Sequence, residues 1–140
     1  MRAHRGKLAS GPGLGEAVFA ASFLTRREIV LDLSLVDHAP DLVAIFAHEV
    51  YHFVWRRLGH PLRAEWMELL NTEKRPKHAG LSSELRYAEF LARKTKAAWK
   101  NYGCEAFCDT AAVLSHTEKP ISLRRKQWFL RLIKERKLPL

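Results

Sequence analysis

The stretch Leu42-Val43-Ala44-Ile45-Phe46-Ala47-His48-Glu49-Val50-Tyr51-His52-Phe53-Val54-Trp55 is an apolar run interrupted by two histidines four residues apart and one glutamate. It holds no Gly or Pro, the residues that break a helix interior, so it predicts a helix. Residues i and i+4 stack on one helix face, so His48 and His52 present two imidazoles toward a common point. Glu49 lies about 100° further round, flanking that point rather than occupying it. The bland alternative is a pair of core histidines and a buried glutamate. Burying three ionisable groups within five residues is costly without a shared partner, and a metal ion is one that suits imidazole nitrogens.

Signals on either side bracket this helix. Asp37-His38-Ala39-Pro40-Asp41 opens it, with Asp37 as a cap, Pro40 in the first turn and Asp41 at the positive end of the dipole. Leu58-Gly59-His60-Pro61 closes it, with Gly where a left-handed cap is needed and Pro beyond. Upstream, 16–24 reads as a strand and Thr25-Arg26-Arg27 as a turn. Alternation of Ile29, Leu31, Leu33 and Leu35 with Val30, Asp32 and Ser34 then predicts a strand over 28–36, and the two strands a hairpin. Residues 1–15, with five Gly or Pro among basic residues, read as a flexible lead-in.

Downstream the pattern is helical. Leu62, Trp66, Leu69 and Leu70 mark a helix over 61–73, and 71–80 is a polar loop whose His78, like His60, reads as an exposed histidine. Ser82 or Ser83 caps the next helix, with Leu85, Ala88, Phe90, Leu91 and Trp99 as its apolar positions. A helical stretch runs from Cys104 to Leu114, and a basic helix occupies about 121–137. The expected fold class is α+β: one domain over 16–140, mostly helical, with a small N-terminal β-hairpin packed on the helix that carries His48 and His52.

With 140 residues and 16.1 kDa, the chain has room for one domain with a real core. No apolar stretch is long enough to span a bilayer, and Gly-Pro-Gly and Glu16 fall where the apolar region of a signal peptide would lie. The expected location is cytoplasmic. Two cysteines do not make a disulfide scaffold. The formal charge is +9, and the segment 118–140 holds eight basic residues against two acidic ones. Such a helix ordinarily packs an apolar stripe and shows its charges to water. The sharper reading is a nucleic acid or an anionic surface bound through electrostatics alone, weakening steeply with salt.

On the residues His48-Glu49-Val50-Tyr51-His52 and their apolar flanks, the run resembles the active-site helix of the zincin metallopeptidases. The resemblance covers this motif and its surroundings and implies a zinc-dependent hydrolase, with His48 and His52 as ligands and Glu49 as the catalytic glutamate acting on a zinc-bound water. Further along, Glu105 and Asp109 share one helix face among Ala, Phe, Val and Leu, poor company for a solvated acid. Glu-x-x-x-Asp downstream of the histidine motif is similar to the gluzincin branch. By that likeness Glu105 is the third ligand of a single Zn2+, and Asp109 bonds the second nitrogen of a ligating histidine. Glu84 and Glu89 are the alternatives by composition.

The implied activity is hydrolysis of peptide bonds in a peptide or protein substrate. Tyr102 and His116 stand nearest Glu105 as donors to a developing oxyanion, with Tyr87 and Arg86 also of suitable type. In zincins an edge strand beside the active-site helix pairs with extended substrate, a role the segment 28–36 could take. Cys104 and Cys108 each precede one of the two acids and project about 100° away from them, as a buried pair at a helix contact or as soft ligands for a second metal or a redox switch. The alternative function is a catalytically weak or inactive zincin-fold regulatory module, whose basic C-terminal helix binds nucleic acid or a partner protein.

Overall fold

The computed structural model describes residues 2–4, 7–9, 17–18, 20–116 and 119–138. Short strands β1 (Arg2–His4), β2 (Lys7–Ala9) and β3 (Ala17–Val18) pair antiparallel in that order. The rest of the lead-in lies outside the described residues.

The expected hairpin forms, with a first strand shorter than the expected 16–24. β4 (Ala20–Phe23) pairs antiparallel with β5 (Glu28–Leu31), setting Ala20 opposite Leu31 and Phe23 opposite Glu28. Arg27 in the connection has a positive φ of 58°. The second strand is shorter than the alternation suggests. Asp32 Oδ1 accepts hydrogen bonds from the Ser34 backbone N–H at 2.9 Å and from its hydroxyl at 2.6 Å. This local pairing competes with the strand ladder and turns 33–37 into a short 3-10 helix, Leu33–Asp37. Leu35 points inward, while Leu33 and Val36 are exposed.

Helix α1 spans Ala39–Arg57 with Pro40 in its first turn, and the chain leaves it at Gly59, φ 84°. The cap position is His38 rather than Asp37, and it makes no side-chain cap bond; Asp37 ends the preceding 3-10 turn instead. Next come α2 (His60–Asn71), α3 (Leu81–Arg93), α4 (Lys96–His116) and α5 (Leu123–Arg136). The helix expected from Ser82 through Trp99 is two helices. Lys94 adopts a left-handed conformation, φ 52°, its N–H closing on Phe90 O at 2.7 Å, and Trp99 belongs to α4. Helix α4 then passes straight through Gly103. The missing side chain there admits Met67, whose sulfur occupies the space a Cβ would need, and the Gly103 carbonyl accepts the Trp66 indole N–H at 2.9 Å.

The core gathers Tyr51, Trp66, Tyr102, Phe107, Phe129 and Leu132, drawn from α1, α2, α4 and α5. Each such side chain contributes roughly 1.5–3 kcal/mol by leaving water. Helix α1 packs chiefly along α4, and the hairpin rests on α1. Helix α5 buries Trp128, Phe129 and Leu132, whereas Leu123 and Leu130 are exposed. Arg125 is fully buried rather than part of a basic surface. Its guanidinium grips Glu73 at 2.7 and 2.9 Å, and reaches the Tyr102 hydroxyl at 3.2 Å and the Thr110 hydroxyl at 3.4 Å. No helix among the described residues is long and apolar enough to cross a membrane.

Candidate metal centre

Where α1 meets α4, the spacing of four on each helix places His48 and His52 opposite Glu105 and Asp109. His48 Nε2 lies 3.2 Å from His52 Nε2 and 3.2 Å from Glu105 Oε2, and His52 Nε2 lies 3.8 Å from the same carboxylate oxygen. Three donor atoms from two helices therefore surround one small volume, and all three side chains are at most 20% exposed. Four-coordinate zinc with bonds of 2.0–2.1 Å sets its ligand atoms about 3.3 Å apart, so the donor set and its spacing suit such an ion.

Cys108 is a further donor. A group of His48, His52 and Cys108 ligand atoms within 4.8 Å of one another could also hold a metal. The two possibilities share both imidazoles and differ in which residue of α4 completes them. Cys108 has no solvent exposure, and burial pushes its thiol pKa well up, so its thiolate is disfavoured.

Each imidazole uses its other nitrogen. His48 Nδ1 donates to Asp109 Oδ1 at 2.8 Å. The second Asp109 oxygen accepts the Ser83 backbone N–H at 2.8 Å, an orphan donor at the start of α3. The serines at 82 and 83 do not cap α3 themselves; its cap position is Gly80, and the capping carboxylate arrives from α4. A Cβ on Gly80 would sit 2.6–2.8 Å from the Asp109 carboxylate, so glycine makes room for it. His52 Nδ1 lies 3.5 Å from Cys104 Sγ. The cysteine pair is thus part of the site rather than turned away from it.

Electrostatics follow from these contacts. Burial alone would lower the His48 pKa, but bonds to Asp109 and Glu105 outweigh it and raise it to about 10. For His52 burial again opposes, and Cys104 and Glu105 prevail, so its pKa is raised. Burial would raise the Asp109 pKa, yet His48 and the Ser83 N–H hold it below the usual carboxylate range. Cys104 shifts down through its bond with Cys108, against burial and with help from His52. Without a metal, His48 is held as an imidazolium between Asp109 and Glu105.

Glu49 is buried, 8% exposed, and turned toward the hairpin. The Ser22 hydroxyl on β4 contacts Glu49 Oε2 closely and also reaches the Glu49 carbonyl at 3.0 Å. Ser22 carried no signal in the sequence, being a single polar residue in a short strand. The strand that meets the glutamate is β4, not the 28–36 segment marked for substrate.

Other candidates stand elsewhere. Tyr102 is 1% exposed, with its hydroxyl against Arg125 and its ring among Tyr87, Trp99 and His78. The His116 side chain lies outside the described residues. Glu89 pairs with Arg86 and Arg93 on the surface of α3, where Glu84 lies in the first turn. His60 starts α2 in an exposed position, while His78 is half-buried against Tyr87. A surface hollow of about 360 Å3 lined by Tyr87, Phe90, Trp99 and Tyr102, and another of about 330 Å3 lined by Val50, Phe53 and Val54, do not include the imidazoles. Comparison with family models, curated proteins and solved structures finds no match.

Proposed function

We propose that this chain is a zinc-dependent metallopeptidase with a zincin-like fold of the gluzincin type. The observation that carries this is the triangle of His48 Nε2, His52 Nε2 and Glu105 Oε2, with sides of 3.2, 3.2 and 3.8 Å. Glu105 is preferred over Cys108 because its oxygen already stands 3.2 and 3.8 Å from the two imidazole nitrogens. A zinc ion held by these residues supplies Lewis acidity, making water a better nucleophile and a carbonyl a better electrophile at neutral pH.

The remaining work falls to the chain's own groups. Asp109 keeps His48 in the tautomer whose Nε2 lone pair faces the ion. Glu49 acts as general base, accepting a proton from the water that attacks the peptide carbonyl carbon and returning it to the leaving nitrogen. Ser22 holds the Glu49 carboxylate toward the hairpin.

A second reading keeps the metal and drops the catalysis. It is favoured by the same Ser22 contact, which engages one Glu49 carboxylate oxygen, and by exposed Arg124, Lys126, Lys134 and Arg136 along α5. The chain is then a regulatory module that binds nucleic acid or a partner protein.

Elemental analysis of the chain purified from zinc-replete buffer, with hydrolysis of mixed fluorogenic peptides, tests both. About one zinc per chain is expected, and Glu49→Gln should retain that zinc while lowering hydrolysis about 10^2- to 10^4-fold. A metal-free chain sinks both readings. Zinc without Glu49-dependent hydrolysis selects the second.

A further inference from the structure

We propose that Cys104 is a positioning residue for the metal centre, its sulfur accepting the His52 Nδ1–H and so holding Nε2 toward the ion. This presupposes the metal centre assigned above. His48 pairs with Asp109 and His52 with Cys104, so the two helices run antiparallel here and each imidazole meets one α4 side chain at its outer nitrogen. A histidine that binds metal through Nε2 must carry its proton on Nδ1, and that proton needs an acceptor. Among the described contacts of His52 Nδ1, the acceptor is Cys104 Sγ at 3.5 Å, within hydrogen-bond range for sulfur.

The two imidazoles are therefore supported unequally. His48 leans on a carboxylate that also caps α3, a strong and fixed acceptor. His52 leans on a single cysteine sulfur at the longer distance of 3.5 Å. Cys104 keeps partial exposure, while Cys108, one turn on, has none. His52 is thus the ligand whose orientation can be changed from outside by chemistry at one thiol. Reaction of Cys104 with iodoacetamide forms an S–C bond, releases iodide and passes the thiol proton to solvent. It replaces the thiol by a bulkier thioether directly against the imidazole.

Zinc affinity of the full chain, measured by competition with a chromophoric chelator, tests this alongside the protonation of His52 Nδ1 in long-range 1H–15N spectra. Cys104→Ala should weaken zinc binding about 10- to 100-fold. Cys104→Ser, which restores an acceptor, should recover part of that loss. Alkylation should weaken the wild type and have no effect on Cys104→Ser. In the zinc-bound wild type the Nδ1 proton should be present and shifted by the Cys104 substitutions. Zinc binding by Cys104→Ala within twofold of wild type, with an unshifted His52 signal, overturns the inference alone. Failure of the wild type to bind zinc overturns it together with the metal centre.

Discussion

His48 Nδ1 and Asp109 Oδ1 lie 2.8 Å apart, and the same carboxylate takes the free Ser83 N–H in the first turn of α3 through its other oxygen. One side chain thereby fixes a ligand's orientation and the start of a helix. Asp109→Asn preserves shape but weakens both bonds. Zinc affinity should fall about 10- to 100-fold, and the unfolding midpoint of the metal-free chain should also drop. Chelator competition and thermal unfolding on one variant read the two effects separately.

Glu105 and Cys108 compete as the third donor, and substitution distinguishes them. Glu105→Ala should reduce zinc content after dialysis to a small fraction of wild type, while Cys108→Ala should retain it. Cobalt substitution adds a direct check, since a thiolate ligand gives an intense near-ultraviolet charge-transfer band and a set of two imidazoles, one carboxylate and water does not. Zinc lost from Cys108→Ala and kept by Glu105→Ala would reverse the assignment.

The raised pKa of His48 has a definite sign for stability. The group binds its proton more tightly folded, at about 10, than unfolded, near 6.5. Its contribution to the metal-free fold is complete below about 6.5 and drains away as pH rises toward 10. The metal-loaded fold behaves oppositely, because zinc competes with that proton and binds better as pH rises. Melting temperatures between pH 6.5 and 9 should therefore fall without zinc and rise with it. Parallel trends would argue against His48 as both proton and metal acceptor.

Arg125 is buried against Glu73, so breaking the pair leaves an unmatched charge inside. Arg125→Met should cost about 3–5 kcal/mol in denaturant unfolding. The double substitution Arg125→Met with Glu73→Gln should recover a good part of that loss. Zinc affinity of the folded fraction should stay near wild type, since neither residue touches the imidazoles.

The parts of the fold legible in the sequence were those with unambiguous local signals. Pro40 and Gly59 bracket α1 because one suits a first turn and the other a left-handed exit. His48, His52, Glu105 and Asp109 could be picked out because spacings of four on apolar helices align side chains. What escaped depends on pairings that distance along the chain conceals. Asp32 and Ser34 matched the strand alternation, yet bond each other and end the strand. Cys104 sits about 100° from Glu105 on its own helix, but the crossing of α1 brings His52 over it. Arg125 counted toward a basic tail, although a bidentate acid carries it into the core.

The carboxylates that serve the imidazoles come from α4, far downstream of α1. A chain emerging from the ribosome with only its first half made has two histidines ready and nothing to complete them. Uptake of the proposed ion must wait until the later helix has docked, so an occupied centre would report that α1 and α4 have met, and a chain ending before Glu105 is left without the chemistry proposed for it.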